Sequence, residues 1–252
     1  MTHSPLKDIT AVIFDLGETL YSLPTSLFEC HKSFLREVCG DEFEVSDEAL
    51  EAANHVAERE ISARTLRDNA PADHSFSVEE WVQFDRTILR ELGVTEGLEE
   101  KAARYQRLWD ELLSGNPLVM KPNAREVLEE LNRRGYMLAV ATNWEQNPRE
   151  LLESTGVLHL FQSVQYTMIH GFSKPSPYMP IMNAHEMGVN PLKCALVGDS
   201  IRKDVGAARR AGMRAILIFP DPTEDPDVPE DVVVIRGLRE LLDLFPDTHS
   251  HQ

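Results

Sequence analysis

Positive charge is scarce in this sequence: 25 lysines and arginines stand against 42 aspartates and glutamates, a formal net charge of −17. That deficit excludes nucleic acid and anionic membrane surfaces as expected partners, because both are held by clustered basic side chains. Cysteine is scarce too. Cys30, Cys39 and Cys194 are odd in number and follow no metal-like spacing, so they read as ordinary buried thiols of a reducing compartment. No His/Cys set suggests zinc. Long apolar runs are missing. The first, Ala11–Phe14, ends on an acid and is far too short for a signal core or a membrane span, so a cytoplasmic location is expected. Repeats and low-complexity tracts are also lacking. The acidic, proline-rich stretch 219–231 reads as a surface loop, since its prolines spoil the ligand spacing of a calcium loop.

What is present suffices for a folded core. Apolar residues make up 42% and charged residues 27% of the 252 positions, compatible with one large domain or two smaller ones. Thr10–Phe14 is a short β-branched run that reads as a buried strand ending at Asp15. Helical periodicity then takes over at 25–38, 47–67, 78–92 and 96–113, with Ser46, Ser77 and Thr95 as N-cap candidates and a loop at 69–76. After Pro117 the pattern alternates. Helices at 124–134, 148–155, 177–187, 203–211 and 237–244 interleave with strands at 137–141, 163–168, 194–197, 214–218 and 232–235. Repeated βα units with unalternating apolar strands indicate a parallel sheet with helices on both faces. The expected architecture is therefore α/β: a three-layer, Rossmann-like core formed by 1–21 and 116–252, with an all-helical domain inserted at 22–115.

Three polar residues directly follow apolar strands. Asp15 comes after Ala-Val-Ile-Phe, Thr142 after Leu-Ala-Val-Ala, and Asp199 after Ala-Leu-Val-Gly. Ligands of open parallel sheets bind beyond the carboxyl ends of the strands, so these side chains converge on one rim.

The surrounding residues carry a resemblance. Asp15-Leu16-Gly17-Glu18-Thr19-Leu20 resembles the first motif of the haloacid dehalogenase superfamily, and Thr142-Asn143 its second. Gly171-Phe172-Ser173-Lys174-Pro175 resembles the third, and Gly198-Asp199-Ser200 with Asp204 the fourth. The four occur in the family's order and span most of the chain. The resemblance implies a helical cap at about 22–115 and a hydrolase of a small phosphorylated metabolite. It implies Asp15 as nucleophile, forming an aspartyl-phosphate. It implies Mg2+ held by Asp15, Asp199 and the Gly17 carbonyl, with Asp204 at the same centre, orienting Lys174 or a metal-bound water. Lys174 would neutralise charge and Thr142 would hydrogen-bond a phosphoryl oxygen. Asn143 and Trp144 are candidates for contact with phosphate or substrate; for Trp144, packing beneath the cap is the other reading. His170 reads as a plain loop histidine.

One position departs from the pattern. Most phosphatases resembling this chain have a second aspartate two residues after the nucleophile, as general acid and base. Here that position is Gly17. General acid–base catalysis contributes about two to four orders of magnitude. Several readings stay open: a substrate whose leaving group needs little protonation, or a proton from Glu18 or a cap residue. Other superfamily chemistry is a further one (dehalogenase, or phosphonatase with Lys32 or Lys101). The last is a weak or inactive phospho-ligand-binding protein. Substrate identity and oligomeric state have no readable signature.

Overall fold

A computed structural model describes residues 5–247, apart from 73, 116, 117 and 222. The expected tail with His249 and His251, and residues 116–117 at the expected domain boundary, lie outside the described residues. In chain order, β1 (Ala11–Phe14) and β2 (Tyr21–Ser22) lead into four helices. These are α1 (Leu27–Cys39), α2 (Asp47–Arg67), α3 (Val78–Glu91) and α4 (Leu98–Ser114). Then follow β3 (Val119–Met120), α5 (Ala124–Arg133), β4 (Met137–Thr142), α6 (Arg149–Ser154), β5 (Phe161–Tyr166), α7 (Tyr178–Glu186) and β6 (Cys194–Gly198). α8 (Gly206–Arg210), β7 (Arg214–Ile218), β8 (Val233–Ile235) and α9 (Leu241–Leu244) complete the order.

Six strands form one parallel sheet in the order β5-β4-β1-β6-β7-β8. Every residue of β1 and β6 is buried, which is why these strands are apolar throughout rather than alternating. Small side chains such as Ala11, Ala139, Ala141 and Ala195 let helices approach closely, while Ile13, Leu196 and Leu217 fill the core between them. Phe14 lies opposite both Val140 and Val197, so β1, β4 and β6 finish on the same rim. β1 is central, and the chain fills first one side of it and then the other. This is the switch point at which doubly wound sheets open a ligand crevice.

The chain divides into two compact units, one running to Tyr21 and resuming at Met120, the other being Ser22–Val119. The second unit is all-helical apart from its terminal strand residues. Its core joins Leu35, Leu50, Ala53, Ile88, Leu89 and Tyr105. Ser77 forms a full capping box with Glu80, and Ser46 accepts the Ala49 N–H at 3.2 Å. Thr95 does not cap α4; the left-handed Gly97 starts that helix. Among the described residues, no helix is long and apolar enough to cross a membrane.

Several elements differ from the sequence expectation. β5 starts at Phe161, because a 3-10 turn at Leu158–Leu160 ends there with the Phe161 N–H on the Leu158 carbonyl. The expected helix at 203–211 opens as a wide π turn at Ile201–Val205. The last helix is only α9, preceded by a 3-10 turn at Leu238–Glu240. Cys30 and Cys194 are buried and Cys39 half-buried, all as free thiols.

Candidate active site

Asp15 is the first residue beyond β1, and its N–H donates to the Val197 carbonyl at 2.9 Å. That bond continues the ladder one residue past the strand and fixes the side chain at the rim. Lys174 arrives from the segment after β5. Its Nζ donates to Asp15 Oδ1 and to Asp204 Oδ1, each at 2.6 Å. Lys174 and Asp204 are essentially sealed from solvent, at 3% and 2% exposure, and Asp15 reaches 8%. Burial disfavours the Lys174 ammonium, but the two flanking carboxylates outweigh it and push its pKa upward.

The loop after β6 is built to deliver Asp204. The Ser200 carbonyl accepts from both Asp204 N–H (2.9 Å) and Val205 N–H (3.2 Å), which widens the first turn. Asp204 Oδ2 in turn accepts from the Ser200 N–H at 3.0 Å. A Cβ on Gly198 would overlap the Asp204 carboxyl group, so only glycine admits it. Both Asp204 oxygens are thus engaged, one by Lys174 and one by backbone.

Asp199 is more open, and the buried Thr19 hydroxyl lies 3.4 Å from its Oδ1. Burial, then repulsion from Asp15 and Asp204, raises its pKa to about 7. Burial likewise raises Asp204, only partly offset by Lys174. Asp15, Asp199 and Asp204 each bring an oxygen to within 4.8 Å of the others. Three carboxylates around one ammonium leave negative charge uncompensated, and the donors are all hard oxygens. This set fits a divalent cation.

Thr142, the last residue of β4, is 1% exposed, and its Oγ has no partner among the described residues. A buried hydroxyl without a partner is costly, and at this rim it is free to meet a ligand. Asn143 has a different occupation. Its Oδ1 accepts the Lys174 N–H at 2.8 Å and its Nδ2 donates to the Lys174 carbonyl at 2.9 Å, clamping that peptide on both sides. Gly17 has an ordinary backbone conformation, and a Cβ there would meet only Trp144 Nε1, at 3.7 Å. Glu18 adopts φ 53°, and its carboxylate pairs with Lys121 at 3.3 Å while the same ammonium donates to the Glu18 carbonyl. His170 is exposed, outside this group. Lys32 lies in the helical unit, paired with Glu29 and Asp47. Sequence reasoning missed the roles of Thr19, Gly198 and Lys121.

A doubly wound sheet with buried carboxylates, a lysine and an unpartnered hydroxyl gathered at its switch point defines a Rossmann-like enzyme. The model of the haloacid dehalogenase-like hydrolases matches residues 9–212, and the chain belongs to that family. It is 29% identical to a glyceraldehyde 3-phosphate phosphatase of Methanopyrus kandleri, over 94% of this chain and 97% of that one. It is 26% identical to a ribulose-1,5-bisphosphate 5-phosphatase of Halopiger xanaduensis, over 88% of each. A phosphoserine phosphatase of Thermus thermophilus is 38% identical over 48% of this chain and 49% of its own. Among solved structures, a haloacid dehalogenase-superfamily hydrolase from Geobacter sulfurreducens PCA shares the fold with a TM-score of 0.61 and 21% identity, covering 96% of this chain and 99% of that one.

Proposed function

We propose that the protein is a magnesium-dependent phosphohydrolase acting on a small phosphorylated metabolite, with Asp15 as nucleophile and the helical unit as a cap. The observation that carries this reading is the buried Asp15–Lys174–Asp204 chain with Asp199 beside it. The phosphatase relatives support the reaction class.

Lys174 donates to Asp15 Oδ1, and its positive charge lowers the repulsion between a carboxylate and a phosphate dianion. Asp204 and the Asn143 clamp fix where that ammonium lies. The Thr142 hydroxyl donates to a non-bridging phosphoryl oxygen. An Asp15 oxygen then attacks phosphorus while the bond from phosphorus to the leaving oxygen breaks and its electron pair goes to that oxygen. Water next attacks phosphorus, the bond to Asp15 breaks, and phosphate is released. Magnesium, held by Asp15, Asp199 and the Gly17 carbonyl, supplies the positive charge that one lysine does not. In this reading Asp204 orients Lys174 more than it binds metal.

Phosphate release from p-nitrophenyl phosphate and acetyl phosphate, with and without magnesium, tests the proposal. Asp15→Asn abolishes release, by about 10⁴-fold or more; equal rates in mutant and wild type overturn the mechanism. Gly17 favours a second reading, a catalytically weak member that binds phosphorylated ligands. Ligand binding with no turnover of either substrate would select it.

A further inference from the structure

Position 17 is two residues beyond the proposed nucleophile, the separation at which an extended chain returns a side chain to the same side. Nothing in the backbone there demands glycine, since its φ lies outside the left-handed region and an added Cβ makes only an ordinary contact. The atom it would meet is the indole nitrogen of Trp144, at 3.7 Å. That N–H has no hydrogen-bond partner among the described residues, and the side chain is half-buried. The neighbouring acid does not replace the missing one. Glu18 is held by Lys121 through both its carboxylate and its carbonyl, and its positive φ turns it out of the extended line. Position 17 therefore faces a neutral, non-acidic donor, the Trp144 N–H, and presents no carboxyl group of its own.

We infer that the Gly17–Trp144 wall restricts the site to phosphoryl donors whose leaving oxygen departs as an anion, above all mixed anhydrides of phosphoric and carboxylic acids, with the Trp144 N–H meeting that oxygen. This rests on the phosphohydrolase reading. An Asp15 oxygen forms a bond to phosphorus while the bond from phosphorus to the leaving oxygen breaks. The electron pair goes to that oxygen, which leaves as a carboxylate and takes no proton. Water then attacks phosphorus, the bond to Asp15 breaks, and the proton lost from water passes to solvent. An alkoxide is too basic to leave this way. A carboxylate needs no proton, and one hydrogen bond suffices to stabilise it.

The test is kcat/KM for acetyl phosphate, p-nitrophenyl phosphate and phenyl phosphate at fixed magnesium. Wild type loses about 10²-fold or more between the first and the last, a span set by the absent acid. Gly17→Asp narrows that ratio by about 10-fold or more. Trp144→Phe lowers kcat/KM for acetyl phosphate by roughly 10-fold, the effect of one hydrogen bond to a developing charge. Equal wild-type kcat/KM across the three donors overturns the inference while leaving the phosphohydrolase reading intact. No phosphate from any of the three overturns both. The wild-type series requires no variant to fold.

Discussion

Two carboxyl groups of nearly equal burial behave differently in the two units. Asp204, in the α/β unit, is 2% exposed and has a partner for each oxygen, Lys174 on one and the Ser200 N–H on the other. Asp85, on α3 of the helical unit, is 3% exposed, and its Oδ2 has no partner among the described residues. Burial raises the pKa of both; Asp85 is driven further up by Asp110, whereas Lys174 restrains Asp204. Around Asp204 the chain has built a cradle, with a glycine that admits it and a widened turn that aims it. Around Asp85 no such device is visible. The cradle is what a proposed role for Asp204 in the site needs, whereas Asp85 reads as a cost carried by helix packing.

The largest expected effect sharpens this contrast at the cradle. Gly198→Ala drives a methyl group into the Asp204 carboxyl group, which must move and release Lys174. kcat/KM on p-nitrophenyl phosphate falls about 10³-fold, the scale of losing an oriented electrostatic group. The free energy of unfolding falls as well, by the ~1–3 kcal/mol typical of overpacking. Unchanged activity would mean that the cradle is not needed. Asn143→Ala comes next. With the Lys174 peptide unclamped, kcat drops roughly 10- to 100-fold with little change in KM. In a Lys174→Ala background it has almost no further effect, since coupled residues are not additive. A rise in KM alone would instead make Asn143 a substrate contact.

The legible part of this site is the part attached to strand ends. Asp15, Thr142 and Asp199 follow β1, β4 and β6, and an apolar run broken by one polar residue is visible in any sequence. The clamp between Asn143 and Lys174 joins residues 31 apart in sequence, and nothing local announces it. Gly198 is equally silent, because its reason is a carboxyl group brought back by the turn that follows. β2 and β3, each only two residues long, are too short to show a period. The start of α8 is not legible, because the π turn that precedes it has no composition signature. In the helical unit, periodicity revealed the helices, and the polar residues on their buried faces, His31, Asp85 and Gln106, look like any interruption of an apolar stripe.

Asp199 gives a smaller effect with a definite sign. Its folded pKa, about 7, lies above the unfolded value of about 4, so the folded state holds the extra proton. Without a cation, that contribution to stability is present below about pH 4 and is lost as pH rises to about 7. A divalent cation requires the carboxylate, so its stabilisation grows over the same window. The gap in melting temperature between magnesium and chelator therefore widens from pH 5 to pH 7.5, reaching several degrees at a magnesium concentration about 100 times Kd. A gap that is absent, or constant with pH, would remove Asp199 from the cation site.

Asp85→Asn carries the smallest expected effect and the sharpest attack on the comparison. The Asp85 pKa is raised in the folded protein, so ionising it is opposed there and free in the unfolded chain. Stability is then lost as pH rises from about 4 towards the folded value. Asparagine has nearly the same shape and never ionises, so urea denaturation shows the variant more stable by about 1 kcal/mol or more at pH 8 and nearly equal to wild type at about pH 4. Activity on p-nitrophenyl phosphate stays within about twofold, because in this account the helical unit's buried acid serves no chemistry. Loss of activity in a variant that remains folded and more stable would mean that Asp85 is kept, at the expense of stability, for function, and the division between a cradled acid and an idle one would fall.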